Sequence, residues 1–241
     1  MVTDDQLAIL VAAAGKGNRM GSALPKQHLA LAGSTVLGCT LSRMQQFVSQ
    51  HCPQAHLFLL LAADDPQAAS LARDFPAWQQ VKGGSERWLS VLSGLQAICT
   101  QLASPWVMVH DAARPLVQVS DVARLWQHCQ QEQRGALLAK PVVDTIKCLK
   151  SRSQHTGAGE QPVTLDRSQL WAALTPQCFR AQPLLAALQQ ALAQGLAVTD
   201  EASAMELSGH EMDLIDSHAD NFKITTSSDL SYARWLMEQQ S

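Results

Sequence analysis

Runs of apolar residues alternate with helical patterns along most of this chain. Five apolar runs predict strands: Leu7–Ala13, His56–Ala62, Trp106–His110, Ala136–Pro141 and Asn221–Thr225. Helical patterns lie between and after them: Thr35–Phe47, Pro66–Asp74, Arg87–Leu102, Ser120–Gln133, Pro183–Gln194, Asp200–Ser208 and Ser227–Glu238. Ser120 and Ser227 are plausible helix N-caps. This alternation is typical of βαβ units, so it predicts a largely parallel sheet.

One segment, residues 142–170, interrupts the pattern. Two strand-like pieces, Asp144–Leu149 and Pro162–Leu165, flank a polar loop, Lys150–Gln161, that contains serines and glycines. An isolated hairpin of this kind has too little apolar surface to be stable by itself. We therefore expect a protruding arm that packs on a partner subunit, while a solvated excursion of the chain is the alternative.

Composition limits the class of protein further. With 241 residues, 46% of them hydrophobic and 16% charged, the chain can build one large α/β domain or two small ones. Its formal net charge of -3 argues against a general partner such as nucleic acid or an anionic membrane. Any anionic substrate must then be attracted by a local cluster of cations. No segment suits a membrane span or a secretory signal, so the expected compartment is the cytoplasm.

The six cysteines give no sign of a metal site. They are scattered without a Cys-x-x-Cys pair, and neither His51-Cys52 nor His128-Cys129 has the spacing of metal ligands. In a cytoplasmic chain we expect them to be reduced and mostly buried.

The richest chemical signal follows the first predicted strand. Residues 12–21 read Ala-Ala-Ala-Gly-Lys-Gly-Asn-Arg-Met-Gly, and Lys26 follows shortly after. Small residues let backbone N–H groups approach a phosphate, and Arg19 and Lys26 add positive charge. The loop lacks the Lys-Ser/Thr pair of a P-loop and the glycine spacing of a dinucleotide fingerprint. An ordinary strand-to-helix turn is the alternative.

Three further places carry candidate chemistry. Gly83-Gly84 opens a predicted helix at Arg87, which favours an anion or polar-group site, although a simple capped turn has the same pattern. His110-Asp111-Ala112-Ala113-Arg114 lies at the carboxyl end of a predicted strand, where α/β sheets bind ligands. Lys223 lies on the last predicted strand and can reach a phosphate, or else is a surface lysine.

Nine motifs occur in a fixed order along the chain. They are Ala-Ala-Gly-x-Gly-x-Arg-Met (13–20), Pro-Lys-Gln (25–27), Gly-Gly-x-Glu-Arg-x-x-Ser-Val (83–91), His-Asp-Ala-Ala-Arg-Pro (110–115), Pro-Val-x-Asp-Thr-Ile-Lys (141–147), Asp-Arg-x-x-Leu-Trp (166–171), Thr-Pro-Gln (175–177), Thr-Asp-Glu-Ala (199–202) and Asn-x-Lys-Ile-Thr (221–225). Over nearly its whole length the chain thereby resembles the 2-C-methyl-D-erythritol 4-phosphate cytidylyltransferase family of the non-mevalonate isoprenoid pathway.

The resemblance implies a fold and an assembly. The fold would be α/β, a Rossmann-like three-layer nucleotidyltransferase fold with a mostly parallel twisted sheet and a protruding β-arm. Residues 1–241 would form a single domain, with residues 142–170 as its dimerisation arm, in a homodimer. Magnesium would be held mainly by the phosphates of CTP, so no protein ligand to the metal is expected.

The resemblance also implies the roles of individual residues. The nucleotide would be held by Ala13, Ala14, Gly15, Gly17, Arg19, Lys26, Gly84, Arg87, Ser90, Asp111 and Ala112. The methylerythritol phosphate would be held by Asp111, Arg114 and Lys223, together with Thr145 and Arg167 from a partner's arm. The charged residues expected to take part in catalysis are Arg19, Lys26, Arg167 and Lys223.

The implied chemistry is consistent with these residue types. A phosphate oxygen of the polyol phosphate attacks the α-phosphate of CTP in line and expels pyrophosphate, so positioning and charge neutralisation dominate. No general base is required, because that oxygen is already largely ionised near neutral pH.

Two alternative functions remain at this point. A ribitol-5-phosphate cytidylyltransferase would share the nucleotide half of the site, and the shape of the pocket would decide between the two substrates. A non-catalytic nucleotide sensor on the same fold would be expected to lose charges needed only in the transition state. Because Arg19, Lys26 and Lys223 are all present, the chain fits a sensor less well.

Overall fold

The computed structural model describes residues 6–15, 24–150, 161–218 and 220–239 of the protein. Residues 16–21 of the predicted phosphate loop lie outside these ranges, and they include the predicted site residues Gly17 and Arg19. Most of the loop at the tip of the arm lies outside them as well.

Among the described residues, seven strands form one twisted sheet, and two small hairpins stand apart from it. The strands are β1 (Leu7–Ala12), β2 (Ala30–Leu31), β3 (Ser34–Thr35), β4 (His56–Leu61), β5 (Trp78–Lys82), β6 (Trp106–Asp111), β7 (Gly135–Pro141), β8 (Lys147–Lys150), β9 (Gln161–Thr164), β10 (Trp171–Arg180) and β11 (Met212–Asp216). The order in the large sheet is β11-β7-β10-β6-β1-β4-β5, and only β10 runs antiparallel to its neighbours. This is the expected mostly parallel sheet.

Helices cover both faces of the sheet. They are α1 (Val36–His51), α2 (Ala68–Asp74), α3 (Arg87–Gln101), α4 (Val119–Glu132), α5 (Ala181–Gln194), α6 (Glu201–Leu207) and α7 (Ser227–Gln239). α1 and α4 pack on one face, and α3, α5 and α6 pack on the other. The three-layer α/β architecture implied by the resemblance is therefore confirmed.

The central strand β1 shows how the sequence builds this core. Its alternate residues Leu7, Ile9 and Val11 face α1 and α4, whereas Ala8 and Leu10 face α3 and α5. A strand buried on both faces has apolar residues at every position, which explains the continuous apolar run. Gly94 lets α3 approach closely, because a Cβ there would clash with Leu10.

The first four predicted strands are confirmed to within one residue at each end, and every predicted helix exists with small shifts at its ends. The fifth strand, Asn221–Thr225, is wrong, because that segment is irregular. Neither predicted N-cap is correct. α4 begins at Val119 after Gln118, and α7 begins at Ser227 itself, after Thr226, whose hydroxyl accepts from the amide of Asp229.

The sequence analysis missed the short hairpin of β2 and β3 and three strands of the large sheet. β5 and β11 lie at the two edges of the sheet and mix polar with apolar residues. β10 contains Pro176 and shifts register between Ala173 and Gln177.

The arm forms as a hairpin of its own. In the described part of the chain, β8 and β9 pair antiparallel with each other and with no further strand. The amide of Val142 closes the base of the arm on the carbonyl of Leu170 at 3.0 Å. Two of its apolar side chains are strongly exposed, Val143 at 77% and Leu149 at 61%.

Within the described ranges, no helix is long and apolar enough to cross a membrane. The same ranges hold no cluster of three or more His, Cys, Asp or Glu residues suited to a metal ion. All six cysteines are free thiols in this structure. Only Cys129 and Cys178 are buried, so the expectation that most would be buried is wrong.

Candidate active site

A cavity of about 840 Å³ opens at the carboxyl edge of the sheet. It is lined by the loops that follow β1, β4, β5 and β6, which supply Ala12–Gly15, Ala62–Asp64, Gly83–Ser85 and Asp111–Ala113. In a doubly wound sheet, the crevice beyond these strand ends is where ligands bind. Lys26 and Lys223 reach the same cavity from two other segments.

The loop after β1 is held by the side chain of Gln27. Its Nε2 donates to the carbonyl of Ala13 at 2.9 Å and to that of Gly15 at 3.1 Å. In a trans peptide the C=O and N–H point in opposite directions, so the N–H of Ala14 points away from Gln27. The described part of the predicted phosphate loop is thus pre-shaped by a buried amide.

The loop after β5 is held by Ser90. The Ser90 hydroxyl accepts a hydrogen bond from the amide of Gly84 at 3.0 Å and donates to the carbonyl of Glu86 at 2.9 Å. Gly83 lies so close to Ala14 that a Cβ would clash with it. Ser90 was predicted to hold the nucleotide; it lines the cavity, and its hydroxyl fixes the Gly83-Gly84 loop.

Asp111 is the electrostatic centre of the cavity wall. Its Oδ1 accepts from Arg87 Nε at 2.6 Å, its Oδ2 lies 2.8 Å from Lys223 Nζ, and Arg114 Nε is 3.7 Å from Oδ2. Burial raises the pKa of the Asp111 carboxyl, but Arg87, then Lys223 and Arg114, outweigh it and hold the pKa well below its usual range. One carboxylate therefore faces three cations, and the surplus positive charge suits a polyanionic ligand.

Arg87 has a second carboxylate partner that the sequence analysis did not find. Its Nη1 and Nη2 donate to the two carboxylate oxygens of Glu201 at 2.7 and 3.0 Å, and the Glu201 side chain is 1% exposed. Gln177 fixes the start of α6 by accepting from the amide of Ala202 at 2.8 Å and donating to Asp200 at 2.8 Å. The motifs 175–177 and 199–202 carried these residues, but composition and spacing alone suggested no role for them.

His110 is a packed residue of the core. It is fully buried, and its ring nitrogens lie 2.9 Å from the Thr175 hydroxyl and 3.2 Å from the carbonyl of Arg114. Burial lowers the pKa of His110 to about 4. The imidazole is therefore neutral near pH 7 and serves to shape the 110–114 turn.

The remaining predicted cations differ in how they reach the cavity. Lys26 Nζ donates to the carbonyl of Ile224 at 3.2 Å, which joins its segment to that of Lys223. Arg114 is buried behind Asp111 and donates to the carbonyl of Asn221 at 2.7 Å, so it does not line the cavity. It supports the segment that carries Lys223.

Thr145 and Arg167 are exposed on the arm and do not line the cavity of their own chain. Arg167 Nη1 donates to the carbonyl of Val143 at the base of the arm. Ten of the predicted site residues line the cavity in the structure: Ala13, Ala14, Gly15, Lys26, Gly84, Arg87, Ser90, Asp111, Ala112 and Lys223.

A doubly wound sheet whose strand-end cavity carries a small-residue loop and a surplus of cations defines an α/β protein of the nucleotide-handling class. Comparison with known proteins identifies the family. The model of the 2-C-methyl-D-erythritol 4-phosphate cytidylyltransferase family matches residues 7–239. The chain belongs to this family, and it is a nucleotidyltransferase.

Individual relatives agree with the family match. The chain is 43% identical over 231 residues to a 2-C-methyl-D-erythritol 4-phosphate cytidylyltransferase of Vibrio atlanticus, covering 95% of this chain and 94% of that protein. Its identity to the protein of that name from Vibrio cholerae is 42%, covering 98% and 97%.

Solved structures agree as well. The structure of the enzyme of that name from Francisella tularensis superposes with a TM-score of 0.74 at 31% identity, over 96% of this chain and 99% of that one. A crystal structure of a 4-diphosphocytidyl-2C-methyl-D-erythritol synthase gives a TM-score of 0.77 at 33% identity, covering 97% and 98%. None of these relatives favours the ribitol-phosphate alternative.

Proposed function

We propose that this chain transfers a cytidylyl group from CTP to 2-C-methyl-D-erythritol 4-phosphate and releases pyrophosphate. The observation that carries the proposal is one cavity formed by strand ends, where Arg87 and Lys223 bond Asp111 and Lys26 lines the same space. Family membership supplies the identity of the two substrates. The cytoplasm stays the predicted compartment.

The transfer brings two polyanions together, so its main barrier is electrostatic. In the proposed mechanism the loop Ala13–Gly15 and the Gly83-Gly84 loop hold the nucleotide, and Lys26 stabilises charge that grows on the α-phosphate. Lys223, held by Asp111, would meet the phosphate of the second substrate. Preorganised donors of this kind typically contribute on the order of 3 kcal/mol each in the transition state.

Asp111 would position cations rather than accept a proton. Its carboxylate is bonded to Arg87 and Lys223, and its lowered pKa keeps it ionised at any physiological pH. The attacking phosphate oxygen is itself largely ionised near neutral pH, so the reaction requires no base from the protein.

We also propose that Mg²⁺ enters with CTP. Asp64 and Asp111 are the only carboxylates among the described residues that line the cavity, and both oxygens of Asp111 face cations. A hard cation that keeps most of its waters and binds phosphate oxygens fits such a site. Bound together with CTP, the metal would neutralise charge on the phosphates, and no protein ligand is assigned to it.

The arm is proposed to complete the site of a partner subunit in a homodimer. In this proposal residues 142–170 belong to the single domain formed by residues 1–241, and they bring Thr145 and Arg167 to the partner's cavity. The exposed Val143 and Leu149, together with Trp171 at 41%, would be covered by the partner. Apolar side chains exposed in this number on a thin hairpin are typical of an interaction surface.

A CTP-dependent assay of pyrophosphate release tests the proposed function directly. The purified chain is offered CTP, Mg²⁺ and either 2-C-methyl-D-erythritol 4-phosphate or ribitol 5-phosphate, and the products are identified by mass spectrometry. We expect diphosphocytidyl-methylerythritol from the first substrate. Turnover of ribitol 5-phosphate alone, or CTP binding without any turnover, would refute the proposal.

A further inference from the structure

A buried polar pair lies beside the cavity and plays no part in the mechanism above. His28 Nε2 is 2.9 Å from Asp65 Oδ2, and the two side chains are 0% and 2% exposed. Because a carboxylate accepts only, the imidazole donates from Nε2 in this bond. The other ring nitrogen, Nδ1, is buried and has no hydrogen-bond partner among the described residues.

The pair joins two walls of the cavity. His28 ends a short 3₁₀ helix, Lys26–His28, so it is two residues from the predicted catalytic lysine. Asp65 follows Ala62–Asp64, which line the cavity from the loop after β4. Its second oxygen, Oδ1, accepts from the amide of Gln67 at 2.9 Å, which fixes the carboxylate at the start of α2.

The 3₁₀ helix packs against α1, and side chains tie it to the neighbouring loops. Its own backbone bonds are His28 N to Pro25 O at 2.9 Å and Leu29 N to Lys26 O at 3.2 Å. Gln27 ties the helix to the loop after β1 on one side, and His28 ties it to the loop after β4 on the other. Lys26 therefore stands on a single turn whose next two side chains bond the loops on either side, while its own Nζ bonds the carbonyl of Ile224.

An apolar pair of similar volume would fill this space at lower cost, since buried charged or polar pairs add little net stability. What a hydrogen bond adds is direction, because it fixes the angle at which the helix meets the loop. We propose that His28 and Asp65 are positioning residues that set the place of Lys26 relative to the reacting α-phosphate. The proposal rests on the function proposed above.

Two substitutions of His28 separate the effect of its hydrogen bond from the effect of its size. His28→Phe keeps a flat ring but removes the donor, whereas His28→Gln keeps a donor at about the place of Nε2. Since a misplacement of about 1 Å can cost on the order of a hundredfold in rate, we expect His28→Phe to lower kcat about 10- to 100-fold. The KM for CTP should change less, and His28→Gln should recover most of kcat. His56→Phe, at an exposed position, is the matched control.

A double-mutant cycle tests whether His28 acts through Lys26. If it does, His28→Phe has no further effect on the single-turnover rate in a Lys26→Ala background. An equal loss in both backgrounds would overturn the proposal and leave His28 with a structural role, as would full activity of His28→Phe.

Hydrogen exchange of the free protein makes the test independent of the reaction. We expect the amides of residues 27–29 to exchange about tenfold faster in His28→Phe than in His28→Gln, with the core strands unchanged. Equal exchange would refute the anchoring itself. If wild-type protein makes no product but exchange differs, the proposed function fails while the anchoring stands.

Discussion

At the scale of single residues, the site depends on a few carboxylates, chiefly Asp111, that hold several cationic side chains in place. Asp111 fixes Arg87 and Lys223 in the cavity wall, with Arg114 behind them. These ion pairs form within the chain itself, so the cations are held in place by the protein, and preorganised charge is what accelerates phosphoryl transfer. Lys26 belongs to a different segment but faces the same space.

Lys26→Ala is expected to separate binding from turnover. CTP binding should fall only slightly, because the loops of small residues still hold the nucleotide, while kcat should fall about 10²- to 10³-fold. Calorimetric titration of CTP and pyrophosphate release measure the two effects. Lys82→Ala, at an exposed position at the end of β5, is the control. Unchanged pyrophosphate release would remove Lys26 from the mechanism.

His110 predicts a pH dependence of stability. Its pKa of about 4 in the folded chain lies below the value of about 6.5 in an unfolded chain. Between these values the unfolded state binds more protons than the folded state does. The contribution of His110 to the free energy of unfolding is therefore fully present above pH 6.5 and is lost as pH falls toward 4. The loss amounts to about 3 kcal/mol over that window.

Urea unfolding of wild type and His110→Gln between pH 7.5 and 4 measures this contribution. The variant should be less stable at pH 7.5 but lose less stability on acidification, by up to about 1.4 kcal/mol per pH unit near the middle of the window. Identical slopes for the two proteins would show that His110 does not titrate as its burial requires.

At the scale of elements, a hydrophobic run predicts a strand only where both faces are buried. The interior strands β1, β4 and β6 have such runs, and they were predicted. β11 is an edge strand with partly exposed residues, so its mixed pattern gives a weak signal. The 221–225 segment has strand-like alternation, but side chains bond its backbone, as in the contact from Arg114 to Asn221.

Much of the site was predictable because its residues follow interior strands of the sheet. The loops at the carboxyl ends of those strands lie next to one another and line the cavity. The charge partners of those residues were not predictable by spacing. Glu201 lies 114 positions from Arg87 along the chain, and only the packing of α6 against α5, together with Gln177, brings it there.

Glu201→Gln tests the role of α6 in holding Arg87. The variant removes one of the two carboxylates that face Arg87 and leaves Asp111 as its charged partner. We therefore expect a loss of about 2 kcal/mol in the free energy of unfolding, together with weaker CTP binding. Glu206→Gln, at an exposed position of the same helix, should change neither. Denaturant unfolding with both variants checks this, and equal stability of the two would contradict the assigned role.

At the scale of the whole molecule, the cavity of one chain is built without Thr145 or Arg167. Both lie on the arm, and the proposed homodimer would bring them to the neighbouring cavity. A dimer formed from two different variant chains should therefore contain one complete site.

Mixing inactive subunits tests that prediction. Arg167→Ala and Lys26→Ala chains are each expected to be nearly inactive, but a heterodimer would contain one site with both residues intact. Pyrophosphate release should recover to as much as about a quarter of the wild-type rate, because half of the chains pair as hybrids and each hybrid has one working site. No recovery in chains shown to exchange would argue against a shared site.

The reversed direction of β10 has a consequence for the whole enzyme. The register pairs Trp171, its first residue, with Pro141, the last residue of β7, so the arm leaves and re-enters the sheet on the rim where the cavity opens. A parallel strand in that place would have returned the chain to the opposite rim. If the rim is where neighbouring chains meet, specific activity should decline on dilution below the dissociation constant of the assembly, even though each protomer stays folded.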